Sequence, residues 1–366
     1  MLNWYIPLLL LLIAGRRDGP RPSVQPEPES THYFQRHHGW IAGDGALSIA
    51  LSNQHVLWLF GDSHIDDYDS VTGTTPCLFQ VRNAALLQPQ GDWDPAHSQT
   101  LIGQGPGFKS YFKNQPDDQY WFWPGAGFQQ GDTIYVFLNS LRKTKEGGLW
   151  GWTKGPRDYW AKIPLGQWDK ISYEPLRDFG NVSFGQGFVQ DKQKGYLYAY
   201  GSRLKGISGE LLVARVDLHH PEGPWQFWDG HRFQPALKAA VPVAKGASNS
   251  IQVCQIKDQF LMISTAFSVG CDQGKQIYAA TASEPTGPFS QPKAIYTLTD
   301  TLQGHYPFFY MATAHPAYVN AENELLITYC INGYSPCVNT CTAGRFNPDY
   351  YRPKAIRVPL DVVLQK

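Results

Sequence analysis

GDGALSIALSNQHVLWLFGD, residues 43–62, opens and closes on the same Gly-Asp dipeptide. Between the dipeptides, ALSIALS and VLWLF are short apolar or alternating runs, separated by the polar turn Asn53-Gln54-His55, which is the pattern of a β-hairpin. A hairpin returns the chain to its starting point. Counting outward from that turn places Ala46 opposite Asp62 and makes Asp44 a diagonal neighbour of Asp62 on the same face. Diagonal neighbours in an antiparallel pair lie roughly 7–8 Å apart, close enough for two carboxylates to repel.

The same unit recurs down the chain: an apolar run, a polar turn, then a second apolar run ending in small or polar residues. The second runs are VLWLFGDS, TIYVFLNS, YLYAYGSR, FLMISTAFS and LLITYCING, starting at Val56, Thr133, Tyr196, Phe260 and Leu325. Their intervals of 77, 63, 64 and 65 residues are the period of propeller blades or arrays. Two copies show a third strand and a shared Pro-x-Gly-Pro-aromatic corner, LLVARVDLHHPEGPWQF and QIYAATASEPTGPFSQ. Helical periodicity is absent from the mature chain. The expected class is therefore all-β, a five-bladed β-propeller, with blades beginning near residues 44, 122, 182, 248 and 311 and KAIRVPL closing the ring.

Composition narrows the function classes. The 366 residues carry 31 basic and 31 acidic side chains, so nothing points to nucleic acid or an anionic membrane as partner. Aromatic content is 14%, with 12 Trp and 20 Tyr, which serves β cores and sugar-stacking surfaces alike. Residues 1–15 carry an apolar run too short to span a membrane and suited to the h-region of a secretory signal. Residues 16–30, RRDGPRPSVQPEPES, read as a Pro-rich linker to a propeller domain over 31–366. Arg16 stands where a lipoprotein signal would need Cys, so export without a lipid anchor is the expectation, as a monomer with no membrane insertion of the mature domain.

Six Cys fit an oxidising compartment. The crowded segment YCINGYSPCVNTC matches no zinc spacing, so disulfides are expected: Cys337 with Cys341 or Cys330, and Cys254 with Cys271.

In a propeller the first strand of each blade lines the channel, and its start and the end of its hairpin partner open on one face. Those positions are Asp44 and Asp62 in blade one, Trp123 and Asn139 in blade two, and Arg203 in blade three. Blade four gives Ser248 and Asn249, and blade five gives His315 and Asn332. Two carboxylates at one mouth are the equipment of glycoside hydrolysis, one donating a proton to the leaving oxygen and the other attacking C1 or activating water. Asx-turns or a shared structural calcium ion would use the same residues; no cofactor is required. Asp66, Asp67 and Asp69 read as a solvated loop.

The segments GWIAGDGALSIAL, LWLFGDSHI, PCLFQVRNAALL, YWFWPGAGF, YLYAYGSR, AHPAYVN, LLITYCING and DYYRPKAIRVPL resemble the bacterial propeller family called domain of unknown function 5005. That family is similar to the one numbered 4185, which includes endo-D-arabinanases, and distantly to five-bladed arabinanases and xylosidases. The resemblance covers nearly all of residues 35–362 and implies Asp44 and Asp62 as a catalytic pair. It departs from the classical five-bladed arabinanases in lacking a third carboxylate, a Glu at a strand start on the active face. Glu210, next to LLVARV, reads as holding that edge. Trp40 and Trp123 would wall the subsites, and Arg203, His315, Arg352 and Asn83 would hold sugar hydroxyls. The expectation is an exported glycoside hydrolase acting on a furanose-containing or other cell-wall polysaccharide, with a non-catalytic glycan-binding module as the alternative.

Overall fold

The computed structural model describes residues 23–113, 120–144, 151–334 and 337–365. The apolar segment 1–15 and the first part of the linker, 16–22, lie outside the described residues.

Five antiparallel sheets follow one another, each built from an innermost strand, a hairpin partner, a third and a fourth strand. Blade one comprises Leu47–Ala50, His55–Phe60, Ala84–Pro89 and Gln99–Leu101, and blade two Tyr120–Gln130, Thr133–Lys143, Tyr159–Pro164 and Ser172–Pro175. Blade three runs from Ser183–Asp191 through Tyr196–Lys205 and Ser208–Asp217 to Gln226–Trp228, and blade four from Ile251–Ile256 through Gln259–Thr265 and Gln276–Ala282 to Lys293–Thr297. Blade five takes Phe308–His315, Glu324–Asn332 and Pro353–Pro359 from the C-terminal part of the chain, and its outermost strand, Gln25–Pro26, from the N-terminal part. The ring thus closes by mixing both ends of the chain in one blade. KAIRVPL is the third strand of that blade, and the last residues assigned to the linker are docked: Gln25 pairs with Arg357, Glu27 salt-bridges Arg357 at 3.2 Å and Ser30 is buried.

The apolar runs are continuous because both faces of each hairpin partner are covered, one by each neighbouring blade. In VLWLF, Val56, Trp58 and Phe60 pack toward Leu326 and Ala355 of blade five, while Leu57 and Leu59 pack against Ile134, Val136 and Leu138 of blade two. Three further apolar clusters join blades two and three, three and four, and four and five. Five interfaces for five blades make a closed ring. The innermost strands come so close that glycine is required: a Cβ on Gly187 would lie 1.9 Å from the Val253 carbonyl oxygen.

The first hairpin differs from the count made on its sequence. Its loop is Ser52-Asn53-Gln54, with Gln54 at φ 61 and the Leu51 amide donating to the His55 carbonyl at 2.8 Å, a three-residue turn ending in a left-handed residue. The ladder pairs Leu47 with Leu59, so Ala46 comes opposite Phe60 and not Asp62. That two-residue shift brings Asp44 beside Gly61 and Asp62: the Gly61 amide donates to the Asp44 carbonyl at 2.8 Å.

The disulfides also differ from expectation. Cys77 joins Cys341 and Cys271 joins Cys337, with Cα separations of 5.6 and 6.0 Å, while Cys254 and Cys330 are buried free thiols. Loops distant in sequence meet because they all rise from the same face of the ring.

Candidate active site

Glycine makes room for the pair. Gly45 sits at φ +106, turning the chain out of the strand just after Asp44. A Cβ on Gly61 would lie 2.4 Å from Asp44 Oδ1, so Gly61 leaves the space that this carboxyl occupies. Gly61 of the second Gly-Asp dipeptide thus makes room for the acid of the first, while Gly43 of the first is required by Ser63, whose Oγ would lie 2.6 Å from a Cβ there.

Asp44 is half-buried and Asp62 is 7% exposed. Asp44 Oδ2 accepts from the Tyr310 hydroxyl at 2.8 Å and the Tyr351 hydroxyl at 3.1 Å. Asp62 Oδ1 accepts from Trp123 Nε1 at 3.0 Å, and Arg82 Nη1 lies 3.4 and 3.3 Å from its two oxygens. Loss of water pushes Asp44 up to about 6, opposed by its two phenol donors. Burial, then the charge of Asp44, pushes Asp62 up to about 7, against the pull of Arg82 and Trp123. Both acids therefore keep protons at higher pH than ordinary carboxyls.

Trp123 lies at the start of the innermost strand of blade two and Tyr310 at the start of that of blade five, so the pair spans the mouth between its two neighbours. Trp152 meets Trp123 edge-on at 4.9 Å, and the Arg82 guanidinium lies 4.3 Å over the Trp121 ring.

Of the residues singled out in the sequence, Asp44, Asp62 and Trp123 converge here, and Asn332 stands behind them on the Tyr310 hydroxyl. Trp40 does not: it is fully buried against Phe60, its Nε1 donating to Ser63 Oγ. Asn83 is buried and spent on backbone, donating to the Phe112 and Phe122 carbonyls and accepting from the Phe112 amide. His315 bridges Ser48 Oγ and Thr328 Oγ1 inside the interface of blades five and one, where burial pushes it down to about 3 and keeps it neutral. Arg352 is 5% exposed and holds the Ile41 and Arg36 carbonyls and Asp349. In each case the polar atoms are consumed by the fold.

Arg203 stands on the same face but binds Glu210 at 2.7 and 2.9 Å. Glu210, also bridged by Lys205 at 3.2 Å, is held below the usual range by Arg203, so it stays charged and holds the edge of blade three. Asp66, Asp67 and Asp69 bind the Gly39 amide, Arg345 and the Thr72 turn.

Arg82, Tyr310 and Tyr351 were not anticipated. Two of them sit one position from residues that were, Asn83 and Arg352. A calcium ion fits poorly: Asp44 Oδ2 is taken by two hydroxyls, Arg82 adds positive charge, and among the described residues no group of three His, Cys, Asp or Glu side chains is placed to hold a metal.

A closed ring of five blades with two acids set at its mouth is the architecture that residues 43–62 define. The chain belongs to the family described as domain of unknown function 5005, whose profile matches residues 28–360. A protein of Bacteroides ovatus, provisionally described as a hydrolase, shares the fold at TM-score 0.73 and 20% identity, over 92% of this chain and 90% of that one. An endo-arabinase of Bacteroides thetaiotaomicron aligns at TM-score 0.48 and 12% identity, over 88% and 97% of the two chains. The catalytic domain of a Coprinopsis cinerea α-L-arabinofuranosidase aligns at 0.47 and 12%, over 92% and 95%. No curated protein matches the sequence. Among the described residues, no helix is long and apolar enough to cross a membrane.

Proposed function

We propose that the protein is an exported glycoside hydrolase acting on a furanose-containing or other cell-wall polysaccharide, with Asp44 and Asp62 as its acid–base pair. The observation that carries this reading is the pair itself: two acids side by side at one hairpin end, both held above the ordinary carboxyl range, between Trp123 and Tyr310 of the flanking blades. Asp62 gives its proton to the glycosidic oxygen as the bond to C1 breaks. Asp44, ionised, faces the positive charge developing at C1 and then either adds to it or takes a proton from the incoming water. Burial makes this division workable, because the second acid must ionise against the charge of the first.

Trp123, half-buried with Trp152 at its edge, offers an aromatic face to a sugar ring. Two disulfides suit an oxidising compartment and thereby support export. The test is a panel of arabinans, xylans, galactans and bacterial arabinose-containing polymers incubated with purified protein, with products read by mass. Release of oligosaccharides or monosaccharides from one class supports hydrolysis. Binding without product across the panel favours a glycan-binding module.

A further inference from the structure

We infer that Asn332, Tyr310 and Tyr351 form an oriented set of hydrogen-bond donors that holds the negative charge on Asp44 and leaves the transferable proton on Asp62. These are positioning residues, and the inference rests on the hydrolase reading only for its consequence in catalysis.

The orientation follows from a chain of contacts. The Tyr334 amide donates to Asn332 Oδ1 at 2.7 Å, which fixes the side-chain amide of Asn332. Asn332 Nδ2 then donates to the Tyr310 hydroxyl oxygen at 3.3 Å, so the Tyr310 proton points the other way, to Asp44 Oδ2 at 2.8 Å. Tyr351 donates to the same oxygen at 3.1 Å. Burial and the nearby charge of Asp44 raise both phenols well above their ordinary range, so both keep the protons they donate. Two hydroxyl protons on Oδ2 leave only Oδ1 to take a proton, and both bonds favour the ionised carboxyl.

Asp62 is served differently. It accepts one neutral bond, from Trp123 Nε1 at 3.0 Å, and its contacts to Arg82 at 3.3 and 3.4 Å are long beside the roughly 2.7–2.9 Å of a charge-assisted bond. The other titratable groups facing Asp44 are Asp62 and the Cys330 thiol, which accepts from the Gly45 amide at 3.3 Å; burial first, and then the charge of Asp44, raises both. Arg82 reaches Asp62 and not Asp44. The donors are also fixed in place: Tyr334 and Tyr351 flank the loop whose Cys337 and Cys341 are tied to blades four and one.

The experiment is a carboxyl titration by NMR on protein labelled with 13C at Asp Cγ, using wild type, Tyr310→Phe and Tyr351→Phe, with Asp44→Asn and Asp62→Asn to assign the signals. Each Phe variant keeps the ring and removes one donor. The midpoint of Asp44 is expected to rise by about one pH unit per hydroxyl lost, and that of Asp62 to fall. Midpoints unchanged in both Phe variants overturn the inference, even if their melting temperatures drop, because a merely structural role lowers stability without moving the titration. Should Tyr351→Phe fail to fold, Tyr310→Phe decides alone. No turnover is needed for this readout, so a shifted titration in a protein that cleaves nothing upholds the donor set and counts against the hydrolase reading. With turnover, the acid limb of the pH–rate profile moves to higher pH by the same amount.

Discussion

Replacing Asp62 with Asn should make the protein more stable at pH 8 and scarcely change it at pH 4. The unfolded chain releases the Asp62 proton near 3.8, whereas the fold holds it up to about 7. Between those values the folded state binds the extra proton, so stability falls as pH rises, and the penalty is complete above pH 7. Three pH units correspond to a ceiling of about 4 kcal/mol. That figure already contains the pull of Arg82 and Trp123 on the charged acid, and Asn, like the protonated acid, retains an acceptor for Trp123 Nε1. A gain of up to about 4 kcal/mol is therefore expected at pH 8, at most about 5 °C in melting temperature for a chain of this size. Thermal melts of both proteins at the two pH values provide the assay. An equal shift at pH 4 and pH 8, or a variant less stable at pH 8, would falsify the claim that the fold holds this acid against its charge.

Three further outcomes follow from the contacts. Reducing the disulfides, which close segments of 264 and 66 residues, should cost about 2–4 kcal/mol each and lower activity by loosening the loop that bears Tyr351; melts and rates with and without reductant check this. Gly187→Ala, whose Cβ would meet the Val253 carbonyl at 1.9 Å, should cost about 3 kcal/mol or more, read by denaturant unfolding. Asn83→Ala should cost about 3 kcal/mol yet leave KM unchanged if the variant is assayed well below its melting point, since Asn83 binds only backbone.

The blades were legible because the hairpin partners carry apolar residues on both faces and recur at a nearly constant interval. The innermost strands begin at residues 47, 120, 183, 251 and 308, each within three positions of its expected start. Nothing in the pattern showed that Gln25–Pro26 completes blade five, because two residues lying on a sheet edge have no periodicity. Asp44, Asp62 and Trp123 were legible from the ends of the repeats. Two of the misplaced residues share a cause: sequence locates a position to within a residue or two, while a one-residue step turns a side chain to the other face. Thus Arg82 reaches the pair where Asn83 was expected, and Tyr351 where Arg352 was. Left-handed Gln54 hid the register of the first hairpin in the same way. The disulfides join loops 264 and 66 residues apart, which local spacing cannot reveal.

The most direct test of the central claim is the rate of product release from whichever glycan the wild type cleaves, compared with Asp44→Asn and Asp62→Asn under the same conditions. Each variant preserves shape and removes one acid, so each should lose roughly 10²- to 10⁴-fold in turnover while still binding the glycan. Turnover equal to wild type in either variant would contradict the assignment of the pair.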